Sequence, residues 1–106
     1  MNFTEYQVKA LSFALPSAYK LEYLIPALCE EAGEVAALYS KWVRKDRLDQ
    51  PIDTDKMAKE IGDVLWNLAV LCHYFGLSLE DVAEMNIDKL TDRKVRSVIV
   101  GEGDNR

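Results

Sequence analysis

Two pairs of carboxylates, Glu31 with Glu34 and Glu60 with Asp63, have the spacing of neighbours on one side of an α-helix. With about 100° per residue, Glu31 falls in the middle of the apolar stripe of its helix and Glu34 at the edge of that stripe. Glu60 and Asp63 likewise share the apolar side of their own helix. A surface helix normally places carboxylates opposite its apolar stripe, so these acids are expected to point inward.

Carboxylates that converge in an apolar interior do not stabilise a fold. Burying an unpaired carboxylate costs several kcal/mol, and two of them about 5 Å apart repel by about 3 kcal/mol at an effective dielectric near 20. Protonation, pairing with arginine and lysine, or a divalent cation could relieve this repulsion. Oxygen ligands at i and i+3 on two helices suit Mg²⁺ or Mn²⁺, and we favour the metal. A single E-x-x-E pair is usually a solvated helix face, so the hypothesis depends on both pairs.

Other polar residues also lie on apolar sides of the predicted helices. Asn67 shares the side of Glu60. On the last helix, Asn86, Lys89 and Arg93 fall among leucine, valine and alanine. Three helices are therefore expected to aim polar groups inward, and these groups are candidates for binding a ligand.

The elements that must position these residues are helices, because helical periodicity dominates the chain and strand signals are scarce. Pro16-Ser17 and Gly76 interrupt the pattern, and Asp53 or Thr54 and then Ser78 are suitable N-caps. The predicted helices span about 4–15, 24–47, 54–75 and 79–96, followed by a flexible tail over 97–106. Short connections between four helices predict an all-α, four-helix bundle-like fold in a single domain, 1–106.

Composition limits the class of protein. The 106 residues are 49% hydrophobic and 29% charged, which is typical of a globular chain. Thirteen basic against 18 acidic residues give a net charge of −5, opposite to the basic surface of a duplex-binding protein, so nucleic acid is not an expected partner. No apolar run approaches the roughly 20 residues of a membrane span, and the start does not resemble a signal peptide. We therefore expect a cytoplasmic protein without a membrane partner.

The apolar residues predict self-association. Ile61, Leu65 and Cys72 lie off the side of Glu60, so this helix is apolar on more than one side. A chain of this length also has a modest margin of core, which a partner copy would supplement. We expect a homodimer or tetramer. Cys29 and Cys72 lie in apolar helical patterns without C-x-x-C spacing, and they are expected to be reduced core residues.

The acidic pairs and their surroundings give the chain a specific resemblance. It resembles the MazG-like members of the all-α nucleoside triphosphate pyrophosphohydrolases, whose pattern is E-E-x-x-E, a spacer of variable length, then E-x-x-D. Here the pattern reads Glu30-Glu31-Ala-Gly-Glu34 and Glu60-Ile-Gly-Asp63. Further similar stretches, which extend the likeness over nearly the whole chain, are Asn2-Phe-Thr-Glu-Tyr-Gln, Glu60-Ile-Gly-Asp-Val-Leu-Trp, Asn86-Ile-Asp-Lys-Leu and Gly103-Asp-Asn-Arg.

The resemblance implies an activity. Members hydrolyse a nucleoside triphosphate between the α- and β-phosphates, releasing a monophosphate and pyrophosphate, and they require Mg²⁺, for which Mn²⁺ is a possible substitute. It further implies that the metal ligands are Glu31, Glu34, Glu60 and Asp63. A role in cleaning the nucleotide pool is expected. Sites in related proteins lie near subunit interfaces, which agrees with the predicted homo-oligomer.

The resemblance also suggests roles for other residues. Asn86, Lys89 and Arg93 match the stretch of the last helix that reaches toward the substrate, and the two cations would bind phosphate charge. Asn67 and Trp42 complete the predicted substrate-binding set, with Trp42 stacking on a nucleobase.

Proton transfer from the attacking water requires a carboxylate that can act as a base. Glu34 is the preferred proton acceptor because it lies at the edge of the stripe, and Glu34 and Glu31 are the candidate catalytic residues. Glu30 matches the first acid of the motif but points about 100° away from the predicted ligand side. The histidine, His73, lies away from the carboxylates and is expected to pack or to line a base pocket.

Three alternatives remain beside this hypothesis. A related pyrophosphohydrolase could act on a phosphoribosyl nucleotide, which the motif does not distinguish. A non-catalytic interaction module could pair its acids with Lys89, Arg93 and Arg96. A di-iron bundle needs E-x-x-H, and Val70 stands three residues before His73, which disfavours that class.

Overall fold

The computed structural model describes residues 1–45 and 49–104, and within them all regular structure is helical. A 3-10 helix, Pro16–Tyr19, connects the first two of four α-helices. The helices are α1 at Phe3–Leu11, α2 at Leu21–Arg44, α3 at Thr54–Tyr74 and α4 at Leu79–Val95. The prediction of an all-α fold is confirmed. None of the helices in the described ranges is long and apolar enough to cross a lipid bilayer.

The predicted caps set two helix starts. Asp53 accepts a hydrogen bond from the backbone N–H of Lys56 at 3.1 Å, and Ser78 accepts one from that of Asp81 at 3.3 Å. Each cap satisfies one of the N–H groups that the first turn of a helix leaves unpaired. Gly76 ends α3 with a φ of 69°, a conformation that glycine adopts without strain.

The predicted first helix is too long. α1 ends at Leu11 and not near residue 15, because Pro16 holds the preceding Leu15 in an extended conformation with ψ 160°. The second helix begins at Leu21, three residues earlier than predicted, and ends at Arg44. Position 47, where we predicted its end, lies outside the described residues.

The hydrophobic core lies where α1 crosses α3 and meets the start of α4. Ala10, Ala69 and Leu79 are buried there, and the indole N–H of Trp66 donates to the Ala10 carbonyl at 3.0 Å. The longest helix pairing is that of α2 with α3, which fixes the side chains on their facing sides.

The single chain leaves this bundle open. α4 packs against α1 and α3, and within the described residues it makes no contact with α2. The radius of gyration is 16.9 Å, whereas a compact chain of this length has about 13 Å. Large apolar side chains such as Phe13, Ile61 and Met85 are exposed. Cys29 is exposed as well, so its predicted place in the core is wrong, while Cys72 is partly buried.

One buried amide joins three elements of the fold. Gln7 of α1 is 8% exposed, and its Nε2 donates to the carbonyls of Ala69 and Leu77 at 3.1 Å each. Its Oε1 accepts the backbone N–H of Leu79 at 3.0 Å. The side chain therefore ties α1 to the end of α3 and to the first turn of α4.

Replacing this amide should destabilise the fold strongly. We expect Gln7→Met to lower the free energy of unfolding by about 2–3 kcal/mol, because it leaves buried backbone groups without partners. Urea denaturation of the two proteins measures the difference. Gln50→Met is the matched control, since the Gln50 side chain is exposed, and it should change stability by no more than about 0.5 kcal/mol. Equal losses in both variants would contradict this role of Gln7.

Candidate functional site

The α2–α3 pairing brings three of the four predicted acids together. Carboxylate oxygens of Glu31, Glu60 and Asp63 all lie within 4.8 Å of one another, and we call these residues the acid cluster. Glu31 comes from α2 and the other two from α3, so the cluster exists because the two helices pack side by side. Glu31 and Glu60 are half-buried and Asp63 is exposed.

Glu34 lies outside the acid cluster. It is exposed, and its oxygens do not belong to the set within 4.8 Å. Glu34 follows Glu31 by three residues, so the helix turns its side chain about 60° away from that of Glu31. This rotation accounts for its position at the margin of the acid cluster. Its role as a metal ligand stays a prediction.

Like charges surround Glu31. Burial raises the pKa of its carboxyl group, and the negative charges of four acids raise it further. In decreasing order of effect these are Asp63, Glu30, Glu60 and Glu34. Glu30, whose role the sequence left open, therefore adds charge at the site although it is exposed.

The acid cluster has no basic partner in the ranges that the structure describes. The ion pairs found there join Lys89 and Arg93 to Asp104, and Arg96 to Asp92. Lys89, Arg93 and Arg96, which could have neutralised the cluster, therefore pair with other acids. Three hard oxygen donors at short mutual distance and without a counter-charge fit a divalent cation such as Mg²⁺.

Asn67 presents an unsatisfied acceptor one turn beyond the acid cluster. Its side chain amide is 4% exposed, and Nδ2 donates to the carbonyl of Asp63 at 2.9 Å. Oδ1 is buried and accepts no hydrogen bond from the described residues. A buried acceptor without a partner costs about 1–3 kcal/mol, so this oxygen is suited to a ligand that supplies a donor.

Tyr6 is a neighbour of the site that the sequence did not single out. Burial raises the pKa of its hydroxyl group, and the charge of Asp63 raises it further, so the phenol lies within electrostatic reach of the acid cluster. Tyr6 also lines an open pocket of about 340 Å³ with Phe3, Leu65 and Glu80. The apolar periodicity of α1 gave Tyr6 no distinguishing signal, because only the packing of α1 on α3 brings it close to Asp63.

The predicted basic residues of α4 contact the C-terminal tail. Lys89 Nζ lies 3.2 Å from Asp104 Oδ1, and Arg93 Nη2 donates to the carbonyls of Gly103 and Asp104 at 3.2 and 2.9 Å. Arg93 is buried as predicted, whereas Asn86 is exposed. The tail that we expected to be flexible is therefore attached to α4 at Asp104, and residues 105–106 lie outside the described part.

The aromatic candidates lie further from the acid cluster. Trp42 stands eleven positions after Glu31, about 16 Å along α2, and its indole N–H donates to the carbonyl of Gln50 at 3.1 Å. It thereby ties the last turns of α2 to Gln50, which precedes α3, and its stacking on a nucleobase stays a prediction. His73 is exposed and packs edge-on against Tyr19, with ring centroids 5.8 Å apart.

The chain is similar to a protein family and to two individual proteins. The family model for the MazG nucleotide pyrophosphohydrolase domain matches residues 20–97, which include α2, α3 and α4. The chain is 36% identical to the Gene 37 protein of Mycobacterium phage L5 over 114 aligned residues, covering 100% of both chains. It is 39% identical to the uncharacterized protein YvdC of Bacillus subtilis (strain 168) over 72 residues, covering 62% of this chain and 68% of YvdC.

No solved structure matches the chain significantly. The family match covers well over half of the sequence, and it includes all the carboxylates of the site. The chain belongs to the MazG nucleotide pyrophosphohydrolase domain family.

Proposed function

We propose that the protein is a Mg²⁺-dependent nucleoside triphosphate pyrophosphohydrolase. It cleaves its substrate between the α- and β-phosphates, releases a nucleoside monophosphate and pyrophosphate, and acts in the cytoplasm to clean the nucleotide pool. The observation that carries the proposal is the acid cluster, whose oxygens lie within 4.8 Å of one another without a basic partner in the described ranges.

Glu31, Glu60 and Asp63 would hold the metal, with Glu34 as the fourth ligand. Mg²⁺, or Mn²⁺ in its place, supplies charge neutralisation of phosphate oxygens and acidification of a bound water. The three carboxylates need this partner because burial and their own charges disfavour the ionised state of Glu31. The donor set contains only oxygen, as these cations prefer.

Glu34 would accept the proton from the attacking water. It is exposed and one turn from Glu31, so its carboxylate is accessible while its charge still acts on the acid cluster. A carboxylate in this position contributes general base catalysis, for which a ligand that the metal does not fully occupy is better suited than the three carboxylates of the tight cluster.

The substrate would be recognised by groups on three helices. Lys89 and Arg93 would bind the polyphosphate, with Asn86 beside them on α4. The unpaired Oδ1 of Asn67 would accept a hydrogen bond from the nucleoside, and Trp42 would stack on the base.

The non-catalytic alternative has less support. It requires the acids to pair with Lys89, Arg93 and Arg96, and the described ion pairs of those cations go to Asp104 and Asp92 instead.

A homodimer or tetramer would complete the open fold. Ile61 and Leu68 lie two turns apart on one stripe of α3, and both are exposed in the single chain. A Cβ added at Gly33 or Gly62, which stand within the two acidic motifs, would meet no atom within 4 Å. The surface beside the acid cluster therefore has room for a substrate or a second copy.

Activity tests the proposal directly. The wild-type protein with Mg²⁺ should release pyrophosphate from at least one nucleoside triphosphate, and Glu34→Gln should lower kcat by about 100-fold or more. Glu31→Gln should abolish turnover. Glu22→Gln, which removes an exposed acid from the same helix, should keep wild-type activity. If no common NTP or dNTP yields pyrophosphate, the proposed activity is wrong.

The thermal stability of the metal-free protein tests whether the half-buried charge of Glu31 destabilises the fold. The raised pKa of Glu31 means that the folded state binds more protons than the unfolded state above the ordinary glutamate pKa, so stability falls as pH rises through this window. In EDTA, Glu31→Gln should therefore raise Tm by a few degrees near pH 7 and by less below the ordinary glutamate pKa. Thermal denaturation at both pH values measures this difference.

Mg²⁺ supplies the control for that measurement. It should raise the Tm of the wild-type protein and shift that of Glu31→Gln much less, since a ligand at 100 times its Kd adds about 2.7 kcal/mol. Equal Mg²⁺ shifts in both proteins would contradict the assignment of Glu31 as a ligand.

Oligomeric state is a separate test. Light scattering at micromolar concentration should give a mass of at least twice 12.1 kDa. Leu68→Lys should shift the distribution toward smaller species, because it places a charge on the apolar stripe of α3. Val8→Lys on α1 is the matched control, since Val8 is exposed and off this stripe. A wild-type mass of one chain would refute the proposed assembly.

A further inference from the structure

The chain turns back after α4 and places an anion on the two cations of that helix. Ser97 has a φ of 59°, and the backbone N–H of Val98 donates to the carbonyl of Arg93 at 2.8 Å. Further on, Asp104 Oδ1 lies 3.2 Å from Lys89 Nζ and 3.4 Å from Arg93 Nη2. We call residues 101–104 the tail strap.

The two partners of the Arg93–Asp104 ion pair differ in burial. The Arg93 side chain is 5% exposed, so its guanidinium is fixed in the fold, whereas the Asp104 side chain is 83% exposed. The hydrogen bond from Lys89, its charge and then Arg93 hold the pKa of Asp104 below its ordinary range, which keeps the carboxylate ionised. A buried cation is thus neutralised by an anion that lies at the surface, and that anion can leave at small cost only when another anion takes its place on Arg93.

The guanidinium of Arg93 is only partly used. Nη2 makes all its hydrogen bonds to the described residues, through the two tail carbonyls and Asp104 Oδ1. Nε and Nη1 donate to no residue in the described ranges, so three of its five N–H groups have no protein acceptor there. A carboxylate held end-on at one nitrogen therefore leaves most of the hydrogen-bonding capacity of the guanidinium unused.

A polyphosphate matches this pair of cations better than one carboxylate does. It carries several negative charges, and its oxygens can engage an arginine fork in a bidentate manner while also contacting a lysine. The tethered carboxylate has the advantage of a high effective concentration, so it occupies the pair when no polyphosphate is present.

We propose that the tail strap is a displaceable internal anion that occupies Lys89 and Arg93 in the free protein and leaves when a polyphosphate binds. The inference deepens the proposed function, since it rests on the assignment of these two cations to the substrate polyphosphate. The tail strap thus competes with the substrate and lowers its apparent affinity. It also keeps a buried cation paired between catalytic cycles.

Binding of inorganic tripolyphosphate tests the competition without any turnover. Titration calorimetry in EDTA should show that Asp104→Ala binds tripolyphosphate about three- to tenfold more tightly than the wild-type protein, because the competent fraction rises when the competing carboxylate is lost, although the two carbonyl contacts to Arg93 remain possible. Asp104 is exposed, so this substitution leaves the fold intact. Unchanged or weaker binding by Asp104→Ala would overturn the proposal, and weaker binding would mean that the strap stays in place and helps to hold the anion.

Asp92→Ala is the matched control. It removes the same charge from the same region and also breaks an ion pair, that with Arg96 at 2.8 Å, but it does not face Lys89 and Arg93 in the described contacts. Its affinity for tripolyphosphate should stay within about twofold of the wild-type value, the change expected from net charge alone. An equal gain in affinity for tripolyphosphate in both variants would mean that net charge alone causes the effect, and it would overturn the proposal.

A double-mutant cycle tests whether the gain in affinity depends on the contact between Lys89 and Asp104. In a Lys89→Gln background, tripolyphosphate binding should weaken, and Asp104→Ala should give a much smaller gain than in the wild type, because the two residues share one contact. A full gain in that background would overturn the proposal.

The outcomes separate the two proposals. If an NTP is hydrolysed but Asp104→Ala does not tighten tripolyphosphate binding, the tail strap fails and the proposed function stands. If no NTP is hydrolysed but the tightening is observed, the proposed activity fails while the displacement of the strap stands.

Discussion

Mutual repulsion among carboxylates is the constraint on which the architecture of this protein depends. Packing α2 along α3 places Glu31, Glu60 and Asp63 close together, and first burial and then the charges of the neighbouring acids raise the pKa of Glu31. The helix pair that creates this repulsion is also the most extensive contact of the fold. Apolar packing therefore holds together groups that would separate if they were free, in the arrangement that the proposed cation requires.

The two charged regions of the molecule are kept apart in the single chain. The acid cluster lies on α2 and α3, while Lys89 and Arg93 lie on α4, which does not contact α2 in the described ranges. Opposite charges that met directly would neutralise each other and leave nothing to attract a metal or a polyphosphate. Pairing the cations with the local acid Asp104 preserves the negative charge of the cluster.

Periodicity was sufficient to predict the helices and the inward direction of Glu31, because both depend on spacing within one helix. It could not give the position of Tyr6 or the contact of Asp104 with Arg93, since these depend on which elements meet in space. The exposed position of Cys29 shows a further limit. An apolar stripe that faces a partner molecule has the same sequence pattern as one that faces the core, so helical periodicity cannot distinguish the two.

The position of Gln7 has a mechanical consequence for α4. Because one amide bonds to both the Leu77 carbonyl and the Leu79 N–H, separating these two residues would break at least one of these hydrogen bonds. The first turn of α4 is therefore fixed to α1 and α3, while Arg93 near its other end is held by burial and by the carbonyls of Gly103 and Asp104. α4 is thus anchored at both ends, and loss of the second anchor would leave its first turn in place.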